Sequence, residues 1–185
     1  MSLALVLIDI QNDYFPGGAM TLEASVAAGL CAGQLLTACR ERKIPVVHIQ
    51  HLSTRPGASF FVPDSVGAEL HACVAPIAGE MVIRKNFPNS FRNTGLLEVL
   101  QRLGIKELLI CGMMTNMCID ATVRAAADLG FRCRLAHDAC AARPLSFNGV
   151  EVPATQVHAA FVAGLQGLYA EVASVEDLVA GLDLR

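Results

Sequence analysis

The chain has few charges and no block of lysine or arginine. Its 185 residues include 14 basic and 17 acidic side chains, a net charge of −3, and only 17% are charged. That argues against nucleic acid and against an anionic membrane surface as the main partner, since clustered positive charge is what holds either one. No apolar run approaches the ~20 residues that cross a bilayer. No C-x-x-C pair occurs among the seven cysteines, Cys31, Cys39, Cys73, Cys111, Cys118, Cys133 and Cys140. An odd set without paired spacing suits a reducing compartment, so a cytoplasmic location is expected and most of these thiols read as small core hydrophobes. Residues 2–8 are apolar, but they follow no basic segment, contain no small-residue cleavage site and run into Asp9 and Asp13, so they read as a core strand and not as a signal peptide. No G-x-G-x-x-G follows this strand, and Gly17-Gly18 comes too late for dinucleotide binding. With no repeat, low-complexity tract or linker, residues 1–185 read as one domain.

What the chain does have is apolar material, 54% of its residues, enough for a large core or a buried subunit interface. Strand-like runs recur at residues 3–8, 45–49, 81–83, 107–111, 132–136 and 169–172, with helical patterns at 23–42, 95–103, 117–129, 153–167 and 175–182. This alternation predicts an α/β fold, a parallel sheet covered by helices on both faces. Residues 52–79 hold no regular pattern and form the candidate lid. Ligands in such sheets bind beyond the carboxyl ends of the strands, which selects the polar residues that matter.

Three residues stand at such ends. Asp9 closes Leu5-Val6-Leu7-Ile8, and Lys85 closes Met81-Val82-Ile83-Arg84. Cys118 follows Leu108-Leu109-Ile110-Cys111 across the turn Gly112-Met113-Met114-Thr115-Asn116-Met117 and opens a helical pattern. A helix start favours a thiolate through its free N–H groups and its dipole. A base, a cation and a thiol are the parts of a nucleophilic hydrolase: Asp9 takes the thiol proton, Lys85 supplies positive field and Cys118 attacks a carbonyl. Amides of the turn could form the oxyanion hole. Phe15, Phe60, Phe61, Phe87, Phe91, Met114 and Met117 lie in or beside the segments that should ring the site and suggest an apolar pocket, with Gln11 and Asn116 able to hydrogen-bond the substrate.

The stretches Leu7-Ile8-Asp9-Ile10-Gln11-Asn12-Asp13-Tyr14-Phe15, Arg84-Lys85-Asn86-Phe87-Pro88-Asn89-Ser90-Phe91 and Cys111 to Thr122 together resemble the isochorismatase-like hydrolases, in their cysteine-hydrolase branch. The resemblance implies a three-layer αβα, Rossmann-like fold with six parallel strands in the order 3-2-1-4-5-6. It also implies Asp9, Lys85 and Cys118 as a triad acting through a thioester on a C–N bond of an amide, lactam or imide. A cis peptide at Met113-Met114 and an oxyanion hole from the N–H groups of Met114 and Cys118 come from the same likeness, as does a homodimer or homotetramer. The nicotinamidases of this group hold a metal with an Asp-x-His pair after strand two, where this chain reads Gln50-His51-Leu52-Ser53, so no metal and no other cofactor is expected. A small molecule is the expected partner. Two other readings stay open: acid-driven vinyl ether hydrolysis with Asp9 as the acid, and a non-catalytic binding or assembly protein on the same scaffold.

Overall fold

A computed structural model describes residues 2–183. Its centre is β1 (Leu3–Ile8), in which all six side chains are buried. Successive side chains of a strand point to opposite faces. Leu3, Leu5 and Leu7 accordingly pack with α1 (Ser25–Glu41) and α5 (Val175–Ala180), whereas Ala4, Val6 and Ile8 pack with α2 (Leu96–Arg102), α3 (Asp120–Asp128) and the end of α4 (Ala154–Leu165). An apolar run with no alternation is what two buried faces require.

The remaining strands are β2 (Val46–His51), β3 (Met81–Lys85), β4 (Glu107–Met113), β5 (Arg132–Ala141), the hairpin β6 (Leu145–Phe147) and β7 (Val150–Val152), and β8 (Glu171–Ala173). Six of them form one parallel sheet in the order β3-β2-β1-β4-β5-β8. This is the expected 3-2-1-4-5-6 arrangement, with β8 sixth in the sheet because a separate hairpin precedes it. The hairpin was not expected. Its turn is Asn148-Gly149, both at positive φ (49° and 76°), the conformation that a two-residue hairpin turn demands.

Three boundaries move. β5 continues through His137 and Asp138 to Ala141, past the polar pair that ends its apolar run, and its register against β4 shifts between Ile110 and Gly112. The helix expected at 117–129 begins as a π-helical turn, Thr115–Ile119, and becomes α-helical at Asp120. Residues 52–79 hold two 3₁₀ turns, Val66–Ala68 and Ala72–Val74. Asn12 N donates to Glu69 O at 3.0 Å and His71 N to Ile10 O at 2.8 Å, so the second half of the segment is pinned to the end of β1. Among the described residues all seven cysteines are free, and no helix is long and apolar enough to cross a membrane.

Candidate active site

The ends of β1, β2, β3 and β4 converge. Asp9, just past β1, has φ 52°, a left-handed conformation that aspartate tolerates better than bulkier residues. Beside it β4 approaches so closely that a Cβ on Gly112 (φ +134°) would collide with the Ile8 carbonyl. Glycine is therefore required there.

Lys85 leaves β3 and passes His51, its register partner on β2, to reach Asp9. Its ammonium shares its three N–H groups among Asp9 Oδ2 at 2.7 Å, His51 Nδ1 at 3.1 Å and the carbonyls of Phe87 (3.1 Å) and Pro88 (3.3 Å). Asp9 and Lys85 are both buried. Burial alone would push the Asp9 carboxyl up, but the charge of Lys85 and the contacts with His51 and Cys118 outweigh it and hold the carboxyl below its ordinary value. Burial would lower Lys85, and the charge of Asp9 raises it instead. The pair is ionised, with Asp9 Oδ1 buried and unpartnered among the described residues.

Cys118 lies at the edge of this pair, its Sγ 3.9 Å from His51 Nδ1. The polar atoms of Asp9, His51 and Cys118 all fall within 4.8 Å of one another. The thiol is not the ready thiolate that a helix start predicts. Burial pushes its pKa well above the ordinary range, and the charge of Asp9 adds to that against a smaller opposing effect of Lys85. The resting group is a neutral thiol beside a carboxylate.

His51 is the site residue that the sequence reading passed over. Gln11 holds its backbone: Gln11 Nε2 donates to His51 O (2.9 Å) and Ala68 O (2.8 Å), and His51 N donates to Gln11 Oε1 (2.8 Å). Asp9, His51 and Cys118 are spaced closely enough to share a metal ion, a set not foreseen from sequence. Asp9 Oδ2 and His51 Nδ1 already face a cation, the Lys85 ammonium.

In front of Cys118 is a cavity of about 420 Å³. Phe60, Phe61, Phe87, Met114 and Met117 line it as expected of an apolar pocket, and so does Tyr14, whose ring meets Phe61 edge-on at 4.7 Å. Residues 53–61 supply one wall. Asp13 fixes it, accepting from Phe61 N at 2.6 Å and Ala19 N at 3.1 Å. Asn86, Phe87 and Pro88 supply another, tied to α3 where Ser90 N and Thr122 Oγ1 meet at 3.0 Å. The Met113–Met114 peptide is cis.

Four expected substrate contacts lie elsewhere. Gln11 is spent on backbone groups of β2, at His51, and of the loop at Ala68. Phe15 is buried and stacks on His71 at 3.6 Å. Phe91 is half-buried and packs against the core on the α2/α3 face, 6.1 Å from Phe131. Asn116 is buried in the π-helical turn, outside the cavity lining. Proximity in sequence to a motif did not say which way each side chain turns.

Comparison with known proteins agrees with this architecture. YddQ of Bacillus subtilis (strain 168), an uncharacterized isochorismatase family protein, is 48% identical over 176 residues, 95% of this chain and 98% of YddQ. A crystal structure from Oleispira antarctica, named for the isochorismatase hydrolases, superposes with a TM-score of 0.94 at 50% identity and covers 97% of each chain. Streptothricin hydrolase of Streptomyces noursei is 38% identical over 74% of this chain and 48% of its own length, and nicotinamidases are among the more distant relatives. Residues 3–177 match the Isochorismatase domain, and the chain belongs to that family.

Proposed function

We propose that the protein is a cysteine hydrolase that cleaves a C–N bond of a small amide, lactam or imide, with Asp9, Lys85 and Cys118 as its working groups. The observation that carries this reading is a protonated, buried thiol beside an ionised Asp9–Lys85 pair, facing an apolar cavity. The hydrolase and nicotinamidase names among its relatives support it.

The proton of the Cys118 thiol passes to Asp9 as sulfur bonds to the substrate carbonyl carbon. Lys85 stabilises the thiolate that forms on the way, and the N–H groups of Met114 and Cys118 receive the developing oxyanion. The C–N bond then breaks, and the nitrogen leaves with the proton held by Asp9. Water attacks the thioester next, giving one proton to Asp9 as the C–S bond breaks. That proton returns to the sulfur and the acid product departs. Asp9 is thus ionised before each transfer and free to accept a proton, and Lys85 favours its return to the charged form. The same depression disfavours vinyl ether cleavage, in which Asp9 would have to begin protonated.

The test is a screen of amides, carbamoyl compounds and lactams, read by ammonia or amine release, with Cys118→Ala as control. Release by the wild type alone, with an acyl adduct on the Cys118 peptide after acid quench, is expected. Equal release by Cys118→Ala would remove the thiol mechanism, and binding without turnover across the screen would favour a binding protein.

A further inference from the structure

The cavity is walled by rings and thioethers, yet among the described residues that line it one side chain, Arg55, is permanently charged, and no carboxylate lines it. Arg40, Arg42, Arg124 and Arg134 each meet an acidic side chain. The Arg55 guanidinium has no hydrogen bond or ion pair among the described residues, where Arg55 bonds through its backbone N and O alone. An arginine without an acid is ordinary on an open surface and less so on a cavity wall. Its backbone is also held in place. Arg55-Pro56-Gly57-Ala58 is a β-turn in which Ala58 N donates to Arg55 O at 3.2 Å and Gly57 sits at φ +73°, with proline and glycine where a type II turn wants them. The loop is closed at its base by Ser53 N donating to Phe61 O at 2.8 Å, and Phe61 N is anchored on Asp13.

Burial orders the site from floor to mouth. Cys118 is 4% exposed, and its neighbour Lys85 is neutralised by Asp9. The floor therefore has no spare positive charge for an anion. Arg55 is exposed at the rim, where the hydroxyls of Ser53, Thr54 and Ser59 add further donors. A guanidinium offers a planar fork of N–H groups that matches a carboxylate with two parallel hydrogen bonds.

We infer that the substrate carries a carboxylate, which Arg55 holds at the mouth of the cavity while the scissile carbonyl lies at Cys118 and an apolar segment spans the rings between them. This names a substrate class, small amides bearing one carboxylate, and rests on the C–N hydrolase reading.

Two probes without a C–N bond test it, 3-phenylpropionate and its neutral counterpart 3-phenylpropanol, with dissociation constants measured by ligand-observed NMR. The acid binds the wild type tighter than the alcohol by about tenfold or more, the scale of one charge-assisted contact. Arg55→Ala removes that preference, Arg55→Lys keeps part of it, and Arg102→Ala, the same charge loss at an exposed position of α2, leaves it unchanged. An acid that binds no tighter than the alcohol, or a preference that survives Arg55→Ala, overturns the inference. Neither probe can be hydrolysed, so this result is independent of Cys118→Ala turnover, and failure of the thiol mechanism reads out separately.

Discussion

Lys85 Nζ stands 2.7 Å from Asp9 Oδ2 with both side chains withdrawn from solvent, and this pair sets the chemistry of the thiol beside it. It keeps Asp9 ionised where burial would neutralise it, and so leaves a base ready for the Cys118 proton.

Removing one partner strands the other charge in a buried site. Lys85→Met is expected to cost about 3–5 kcal/mol in urea unfolding. The double variant Asp9→Asn/Lys85→Met regains most of that loss and remains inactive. Recovery of activity with stability in the double variant would show that the pair serves only the fold.

His51 accepts from Lys85 at 3.1 Å and lies 3.9 Å from the thiol sulfur, so it orients the cation against Cys118. His51→Ala gives up one hydrogen bond to a charged group, about 1.5–3 kcal/mol. The variant is expected to be less stable by up to that amount and, assayed well below its unfolding temperature, to lose kcat/KM by about 10-fold or more. Full activity in this variant would dismiss His51 as a bystander.

Gln11 joins the backbone of β2 at His51 to the loop at Ala68. Gln11→Ala leaves buried backbone groups unpaired and is expected to cost about 2–3 kcal/mol. Because a wall of the cavity is loosened, KM should rise more than kcat falls. The reverse pattern would place Gln11 in the chemical step.

Away from the site, Glu80 accepts two hydrogen bonds from Arg40 (2.7 and 2.8 Å) and one from Ile77 N (3.0 Å), and lies 2.9 Å from His48 Nε2. The Arg40 contact, working against partial burial, brings its carboxyl down to about 2. A carboxyl depressed in the fold stabilises it above the ordinary unfolded pKa, about 4.3, and that contribution fades as pH falls toward the folded value. Glu80→Gln should therefore be less stable than the wild type by about 1–2 kcal/mol at pH 7, allowing for solvent screening. The gap should narrow by pH 3. A gap constant from pH 7 to pH 3 would contradict the assignment.

The sheet was legible because its strands are short apolar runs between turn residues, and the strand-end rule located Asp9 and Lys85. The same rule points to His51 at the end of Ile49-Gln50-His51, a stretch whose lack of metal-ligand spacing hides its part in the site. The hairpin had its signal in Asn148-Gly149, flanked by strands of three residues each that are too short to register as a pattern. Other features depend on contacts distant in sequence. No local pattern says that Gln11 turns back onto His51 and Ala68, or that Phe91 faces a core. The state of Cys118 is of this kind as well. A helix start argues for a thiolate, whereas burial and the nearby charge of Asp9 decide for the thiol.

The measurement that bears most directly on the central claim is turnover of one amide, hydrolysed by the wild type, in Cys118→Ala and Asp9→Asn at pH 7. The account predicts that both variants lose activity by a factor of at least about 10² while keeping their fold, and that acid quench of the wild type leaves an acyl group on the Cys118 peptide. Unchanged hydrolysis by Cys118→Ala would contradict it.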